Sequence, residues 1–520
     1  MSNKDTGSAI RFHELTKHPS RGGHMLDFAN MPEPFKVYKD LSSSPLPKDF
    51  PRPMLGARSA IQKIEDRGNP DEFDVSTLAE ILFFSGGLTR VRKYPNGTFY
   101  MRAASATGAL YPIELYVVAQ DIPGLKAGVY HFNPLEFGLT LLRQGDYRNE
   151  LASSSGENPS ITTAPVTIAF TSFAWRNAWK YQGRSYRHWF WDSGVIAANL
   201  LATTVSNKIR AEIILGFQDE MVDSLLCLNE KVEATVALAP LGIGLSKPSD
   251  TGLKEIPDIN LSVLPLSREE VQYPEIWEMN GASILANHEE VKRWVQATGT
   301  IKERAGKVNT TSRSIKPSGN TSTESPLDEV ILRRGSTRRF ANKAVSFEQL
   351  SNVLLDSSRG VPIDCLDKPG DTMMKNYLIV NSVDDLSSGA YYFDSSENSL
   401  HLLKEGQFRN DSGSLCLGQP LFSSASIVFF LMTDLEAVLD KYGNRGYRAA
   451  QFEAGVTAGK IYLSAYAQGL GASGSTFYDD AVTQFFSPHA KFSNTMIAIG
   501  VGVPDYRSRP GDVIVGKLSA

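Results

Sequence analysis

Apolar residues recur at both helical and strand-like spacings along the chain, which predicts an α+β protein. Within residues 75–84, the apolar residues Leu78, Ile81 and Leu82 lie on one side of a predicted helix. Residues 166–173 form a nearly unbroken run of apolar and small residues, which is typical of a central strand buried on both faces. The other predicted elements are strands over residues 113–119, 128–132, 139–143 and 235–239 and a long helix over about 186–206.

Several segments of the sequence occur twice in the chain, at a constant spacing. Residues 180–187 read Lys-Tyr-Gln-Gly-Arg-Ser-Tyr-Arg, and residues 441–448, which lie 261 positions later, read Lys-Tyr-Gly-Asn-Arg-Gly-Tyr-Arg. A repeat of this length is a duplicated domain rather than a solenoid unit. Further segments match at the same offset, namely 116–119 with 377–380, 128–132 with 389–393 and 145–148 with 406–409.

Composition divides the chain around the two copies. Residues 1–50 are rich in Pro, Lys, Ser and His and are predicted to form an extended N-terminal arm. Residues 297–325 contain mainly Thr, Ser, Lys, Asn and Gly, which predicts a flexible linker. The two domains are therefore expected at residues 51–296 and 326–520.

Charge and cysteine content exclude several classes of function. The 520 residues carry a net charge of −4, so no basic field is present to bind nucleic acid or an acidic membrane surface. The three cysteines lie far apart without metal-ligand spacing, which favours a reducing compartment and no structural zinc. The polar N-terminus and the lack of any long apolar run predict a cytoplasmic protein without a signal peptide or membrane span.

An arginine-rich stretch distinguishes the second copy from the first. Residues 333–340 read Arg-Arg-Gly-Ser-Thr-Arg-Arg-Phe, and guanidinium and hydroxyl groups are suited to binding phosphate oxygens. A solvated basic face explains such a run equally well. In an alignment offset by 270 residues, the first copy has Ile64–Gly68 here, with two carboxylates in place of the basic residues. The candidate anion-binding residues are Arg333, Arg334, Ser336 and Arg338.

Two further groups in the second copy are candidates for the same site. Gly469, Leu470 and Gly471 follow the predicted long helix, where glycines allow a ligand to approach the backbone, although a simple helix C-cap is the plainer interpretation. Near the end of the chain, Arg507 and Arg509 are a second pair of possible phosphate ligands.

The first copy has its own distinctive stretch at residues 105–112. Its small residues and glycine are suited to placing backbone groups against a flat ring, whereas residues 366–373 of the second copy are bulky and charged. One copy therefore keeps a phosphate half-site and the other a ring half-site, which predicts one composite pocket between the two domains. The candidate ring-side residues are Ser105, Ala106, Thr107, Gly108 and Ala109.

Together these motifs resemble those of the nitroreductase-like flavoenzymes, whose homodimers build each site for flavin mononucleotide (FMN) from both subunits. Residues 334–338 are similar to their Arg-x-Ser-x-(Lys/Arg) element, and 469–471 to their Gly-Leu-Gly turn. More narrowly, residues 102–114 and 180–187 resemble the SagB/McbC-type azoline dehydrogenases, and the tandem layout is most similar to the cyanobactin oxidases. Ala104 departs from that pattern, because proline is usual before the serine.

The resemblance implies tandem nitroreductase-like domains that form an intramolecular pseudo-dimer, with FMN as cofactor. It implies oxidation of thiazoline, and as a second option oxazoline, rings in a ribosomally made peptide. In that family a Lys-Tyr pair before the long helix takes part in removing the ring proton, and a partly desolvated lysine is able to act as a base near neutrality. In this family the loop before the long helix reaches over the flavin held by the other subunit, which implies a loop position for the Lys-Tyr pair. Because the ring half-site lies in the first copy, Lys180 and Tyr181 are predicted to be catalytic, while Lys441 and Tyr442 face the degenerate site.

Other functions stay open at this point. The alternatives are an NAD(P)H-dependent nitro- or quinone reductase and an inactive flavin- or peptide-binding partner of a cyclodehydratase. A phosphate-binding regulator without flavin leaves the ring-side stretch unexplained. The expected partners are an azoline-containing precursor peptide and the cyclodehydratase of the same pathway, and a homodimer of the whole tandem chain is left open.

Overall fold

The computed structural model describes residues 3–18, 25–63, 73–94, 97–247, 252–297, 301, 304, 314–319, 324–366 and 370–506. The strands in this part of the chain are β1 (Ser43–Pro45), β2 (Leu88–Tyr94), β3 (Gly97–Arg102), β4 (Ile113–Ala119), β5 (Gly128–Asn133), β6 (Gly138–Gln144), β7 (Val166–Phe173), β8 (Glu233–Leu241), β9 (Ser314–Ile315), β10 (Lys375–Val380), β11 (Gly389–Asp394), β12 (Ser399–Glu405), β13 (Ile427–Thr433), β14 (Gly471–Ser475) and β15 (Asn494–Gly502).

Helices lie between and around these strands. They are α1 (Thr6–Leu15), α2 (Ala57–Gln62), α3 (Val75–Gly86), α4 (Arg148–Ser154), α5 (Pro159–Thr163), α6 (Ala174–Tyr181), α7 (Ser185–Ser206), α8 (Asp219–Leu225), α9 (Pro274–Ala282), α10 (His288–Gln296), α11 (Leu327–Arg333), α12 (Phe347–Ser357), α13 (Arg409–Leu415), α14 (Pro420–Ser424), α15 (Leu435–Tyr442), α16 (Arg445–Ala467) and α17 (Asp479–Phe486). The six helices from α3 to α8 recur in the same order as α12 to α17. Short 3₁₀ turns occur at Phe28–Asn30, Thr107–Ala109 and Gln182–Arg184.

Two larger sheets, both antiparallel, carry the duplication. The first has the strand order β1-β6-β5-β4-β7-β8, and the second has the order β14-β15-β13-β10-β11-β12-β9. In each sheet a three-strand meander lies beside a strand that enters after two short helices, so β4 pairs with β7 as β10 pairs with β13. All eight residues of β7 are buried, as its apolar run predicted. The prediction of a tandem α+β fold is confirmed.

The two long helices α7 and α16 cross at the centre of the molecule. A Cβ atom added at Gly194 would lie 2.5 Å from the carbonyl oxygen of Phe452, and one added at Gly455 would lie 2.5 Å from that of Trp191. Gly194 and Gly455 are equivalent positions in the two copies, 261 residues apart. Each helix therefore needs glycine at the crossing for the backbones to approach this closely. This reciprocal contact is the signature of a two-fold interface, formed here within one chain.

Crossed ion pairs join the two halves on both sides of this axis. Arg184 and Arg187 at the start of α7 contact Asp479 at 3.0 and 2.6 Å, respectively. All three side chains are buried. Leaving one member of such a buried pair without its partner typically costs about 3–5 kcal/mol. Asp479 is the first residue of α17 in the second half, so these contacts connect an arginine pair of one half to an aspartate of the other.

The mirror contact uses the second copy of the same motif. Arg445 and Arg448 at the start of α16 each approach Asp219, the first residue of α8, to 2.6 Å. The arginines that recur at equivalent positions of the two Lys-Tyr motifs therefore form the domain interface. Their recurrence does not by itself indicate a catalytic role for the lysine and tyrosine that precede them.

The N-terminal arm differs from its predicted extended form. Residues 6–15 form helix α1, with the Asp5 side chain accepting a hydrogen bond from the backbone N–H of Gly7 at its start. The buried ring of Phe12 packs edge-on against Tyr186 and Tyr447, with ring centroids 5.4 and 5.8 Å apart. These tyrosines are equivalent residues of the two motifs, so the helix covers one end of the pseudo-two-fold axis.

The described parts of the predicted linker contact the second half. Arg304 forms ion pairs with Asp434 and Glu436 at 2.6 and 2.5 Å, and β9 adds two residues to the edge strand β12. The boundaries at 51–296 and 326–520 stay predictions. Among the helices in the described ranges, none combines the length and apolar character needed to cross a bilayer.

Candidate functional site

The ring-side stretch of the first half is a loop fixed to the central helix. Thr107 donates hydrogen bonds from its backbone N–H and its hydroxyl to Asp192 of α7, at 2.9 and 2.7 Å. The loop then turns through left-handed conformations at Gly108 and Ala109, with φ values of 67° and 56°. Ser105, Ala106 and Asp192 line a small cavity beside this turn. Within the turn, the Ala109 N–H donates to the carbonyl oxygen of Ala106 at 3.0 Å, so the loop is held by its own backbone as well as by Asp192.

Asp192 is the side chain in this loop region that the sequence interpretation missed. Burial raises the pKa of its carboxyl to about 7, and the hydrogen bonds from Thr107 only partly oppose this effect. Glu453 is the equivalent residue of α16, where it accepts hydrogen bonds from Thr372 and Met373 and has its pKa raised by burial to about 7. The sequence does carry a signal for these two residues. Asp192 and Glu453 are acidic residues at equivalent positions, 261 residues apart, in two otherwise apolar helices.

Lys180 and Tyr181 lie beside the ring-side loop. They are the last two residues of α6, whereas the sequence analysis placed them in a loop, and the chain leaves the helix at Gln182 with a φ of 50°. A Cβ atom added at Gly108 would lie 2.8 Å from the Tyr181 hydroxyl oxygen, so only glycine allows this approach. The ammonium nitrogen of half-buried Lys180 lies 5.4 Å from the centre of the Tyr181 ring.

The surroundings of Tyr181 connect it to both halves of the molecule. Burial and then Asp192 raise the pKa of the Tyr181 hydroxyl, while the positive charge of Arg338 opposes them. The net direction is upward, so the hydroxyl stays protonated near neutral pH. His188 supports the Tyr181 ring edge-on, with ring centroids 4.6 Å apart. Tyr181 is thus a neutral hydrogen-bonding group placed between the ring-side loop and the arginine-rich element.

That arginine-rich element reaches across from the second half. Arg334 follows α11 and is buried, and its Nε and Nη2 donate to the carbonyl oxygens of Ala103 and Arg102 at 2.9 and 3.0 Å. These carbonyls directly precede the ring-side loop. The two predicted half-sites, one from each half, therefore lie side by side in one place.

The charges of the arginine-rich element fit a phosphate group. Within the described part of the chain, neither Arg334 nor Arg338 has a carboxylate within ion-pair distance, so their positive charge is not neutralised there. The Ser336 hydroxyl lies 3.4 Å from the hydroxyl of Tyr462, and a Cβ at Gly335 would meet open space. Uncompensated guanidinium groups beside hydroxyl donors are the donor set that a phosphate dianion requires.

The structure gives the remaining candidates local roles that need no ligand. Gly469 has a φ of 75° at the C-terminus of α16, and Leu470 donates to the carbonyl oxygen of Ala465 at 2.9 Å, as in a helix cap. Lys208, the equivalent residue of the first half, adopts the same left-handed conformation with a φ of 56°. A Cβ at Gly471 would overlap the side chain of Thr337.

The described part of the chain does not place several of the predicted cofactor-binding residues at this site. Arg333 donates to the carbonyl oxygen of Tyr466 at 3.2 Å, which ties it to the end of α16. Arg507 and Arg509 lie outside the described residues, as do Ile64–Gly68. The roles of Arg333, Arg507, Arg509 and residues 469–471 in holding a cofactor stay predictions.

The mirror position in the second half is closed. Tyr442 is buried, and its hydroxyl donates to the carbonyl oxygen of Cys365 at 2.7 Å. The indole of Trp294 packs against the Tyr442 ring, with centroids 5.0 Å apart. By contrast, the Tyr181 hydroxyl forms no hydrogen bond within the described ranges. The two copies of the Lys-Tyr pair therefore have different environments, and the first copy is the accessible one.

The fold and the composite site define a flavoprotein class, and sequence comparison agrees. The profile of the Nitroreductase family matches residues 57–243 and 375–502, more than half of the chain, so the protein belongs to the nitroreductase family. Proteins of this family depend on FMN, and FMN is the cofactor.

Individual relatives place the chain more narrowly. It is 30% identical over 175 residues to the trifolitoxin-processing protein TfxB of Rhizobium leguminosarum bv. trifolii, a match that covers 32% of this chain and 47% of TfxB. It is 26% identical over 153 residues to the putative nitroreductase MJ1384 of Methanocaldococcus jannaschii, covering 29% of this chain and 74% of that protein. The chain thus spans about half the length of TfxB. These matches agree with the resemblance to SagB/McbC-type proteins.

A solved structure reproduces the whole architecture. The crystal structure of a putative nitroreductase from Anabaena variabilis ATCC 29413 superposes with a TM-score of 0.75 at 25% sequence identity. The match covers 96% of this chain and 99% of that one. The tandem arrangement of two nitroreductase-like halves is therefore shared by that protein.

Proposed function

We propose that this chain is an FMN-dependent oxidase that converts thiazoline or oxazoline rings of a ribosomally made peptide to the aromatic azoles. The observation that carries the proposal is the meeting of three groups from two halves: the ring-side loop, Lys180–Tyr181 and Arg334. The similarity to the trifolitoxin-processing protein TfxB supports a role in processing a natural product of this kind. The proposed working units are residues 51–296 and 326–520.

The cofactor is held by residues from both halves in this proposal. Arg334, Ser336 and Arg338 bind the phosphate and ribityl groups, with Arg333, Arg507 and Arg509 as further cations. Residues 105–109 lie against the ring system, and Gly469–Gly471 flank the phosphate side. When bound there, FMN supplies the acceptor for a hydride from the azoline ring.

In this proposal, side chains of the protein accept the proton that also leaves the azoline ring. Aromatisation removes two hydrogens from the ring, one as a hydride and one as a proton, and Lys180 takes the proton as a general base. The neutral hydroxyl of Tyr181 donates a hydrogen bond that orients the ring. Asp192 positions the loop through Thr107. The reaction requires that a cyclodehydratase has already formed the azoline, so such an enzyme is the expected upstream partner.

The test combines cofactor content with turnover. Purified protein should contain one FMN per chain by absorbance, and an azoline peptide incubated with it in air should lose the mass of two hydrogens. Lys180→Ala should retain FMN and lose this oxidation, while Lys441→Ala retains both. Bleaching of bound FMN by NADPH with no change in the peptide would replace the proposal with a nitro- or quinone reductase. Two FMN per chain would contradict the composite site.

A further inference from the structure

The N-terminal arm presents an unusual apolar surface next to α6. We call residues Met25–Met31 the arm ledge. Within it the side chains of Met25, Phe28 and Met31 are 93%, 72% and 46% exposed. Large apolar side chains that stay in water on one short segment typically mark a binding surface.

This segment is firmly attached to the body of the protein. The indole N–H of Trp179 donates to the carbonyl oxygen of Asp27 at 2.9 Å, and the Phe28 ring packs edge-on against Trp179 with centroids 5.6 Å apart. Asn30 exchanges two hydrogen bonds with the backbone of Glu269, at 2.9 and 3.0 Å. The polar groups of the arm ledge are thus used to fix its position, and its apolar side chains are left for a partner.

The arm ledge is continuous with the proposed catalytic groups. Trp179 directly precedes Lys180 on α6, and Arg176, one turn earlier, donates to the carbonyl oxygen of Tyr111 at 3.1 Å. Residues 176 and 180 lie on one side of the helix, so Lys180 lies on the side of α6 that meets the ring-side loop. Trp179 lies on the adjacent side, where it contacts Asp27 and Phe28 of the arm.

We propose that the arm ledge binds the residue next to the azoline in the substrate peptide and selects a large apolar side chain there. This inference rests on the proposed function. A peptide ring placed at Lys180 has its backbone running over the end of α6, where the ledge is the adjoining surface. Phe28 provides a broad aromatic contact and the two methionines adapt to different apolar shapes, so an apolar neighbour buries more apolar surface there than a polar one.

The experiment compares two thiazoline peptides that differ only in the residue beside the ring, phenylalanine or serine. The wild-type protein should prefer the phenylalanine peptide through a lower KM. Phe28→Ala should raise the KM for that peptide about tenfold and leave kcat and the serine peptide nearly unchanged, because only substrate binding is altered. Leu135→Ala, which removes an exposed apolar side chain outside the ledge, is the matched control.

Binding is measured separately from oxidation. Fluorescence anisotropy with a labelled thiazole peptide should show a similarly weakened Kd for Phe28→Ala, with unchanged FMN absorbance and thermal midpoint. If the wild type binds this peptide but oxidises neither thiazoline peptide, the proposed oxidase activity fails while the ledge is supported. If both peptides are oxidised and the variant keeps the preference for phenylalanine, the ledge inference is overturned. It is also overturned if Phe28→Ala changes only the sedimentation coefficient, since the ledge then contacts a second copy of the chain.

Discussion

Replacing each motif tyrosine by phenylalanine separates a structural hydroxyl from a catalytic one. In Tyr442→Phe the buried Cys365 carbonyl loses a hydrogen bond of 2.7 Å, which should cost about 1–2 kcal/mol of unfolding free energy. For domains of this size that loss lowers the thermal midpoint by about 2 °C or more. Azoline oxidation should be unchanged, because this hydroxyl points into the closed mirror position.

Tyr181→Phe should show the opposite pattern. No hydrogen bond from the Tyr181 hydroxyl is present among the described residues, so stability should change by less than about 0.5 kcal/mol. Turnover of an azoline peptide should fall by about 10–100-fold at saturating peptide, since the hydrogen bond that orients the ring is lost. Differential scanning calorimetry and a mass-spectrometric oxidation assay measure the two effects. A variant at Tyr442 that loses activity while Tyr181→Phe loses only stability would refute the assignment of the working copy.

Three further outcomes follow from the contacts described above. Gly194→Ala should destabilise the protein by about 1–3 kcal/mol in urea denaturation, because the added methyl overlaps the facing helix, whereas Gly281→Ala, with open space around it, should be neutral or stabilising. Arg334→Ala should weaken FMN binding about 10–100-fold in a fluorescence titration, and Arg339→Ala, an exposed neighbour, should not. Burial raises the pKa of the Asp479 carboxyl, but its two arginine partners outweigh this and lower it below the usual range. The stabilisation is therefore complete at neutral pH and lost as pH falls through acid values, and Asp479→Asn should flatten this acid dependence.

The duplication and several of the strands were predictable because they depend on local patterns that the chain repeats. The apolar run of β7 and the shared offset of 261 residues needed no knowledge of tertiary contacts. The placement of Lys180 and Tyr181 in a loop was wrong by a few residues, because α6 continues to Tyr181 before the chain turns at Gln182. In the sequence, only the second copy indicates a left-handed residue at this turn, because Gly443 occupies the position equivalent to Gln182.

The contacts between the halves were not predictable from the motifs. The partners of the repeated arginines, Asp219 and Asp479, lie outside the Lys-Tyr segments and are not part of any local pattern. The role of Asp192 likewise depends on a loop 85 residues earlier in the chain. Glycines 469 and 471 have local roles that the sequence did not separate from ligand contact, one at a helix end and one in packing against Thr337, and their contact with the cofactor stays a prediction.

The crossed ion pairs affect which half pairs with which. Each half carries both an arginine pair and an acceptor aspartate, so two identical halves from different molecules would satisfy the same contacts as the two different halves of one chain. Covalent linkage favours pairing within one chain over pairing between two molecules, because it gives the attached half a local concentration of about millimolar or more. Fusion also frees the halves to diverge. In a symmetric dimer every loss at one site is repeated at the other, whereas here the second half keeps its interface while its Tyr442, at the mirror position, packs against Trp294 of the first half.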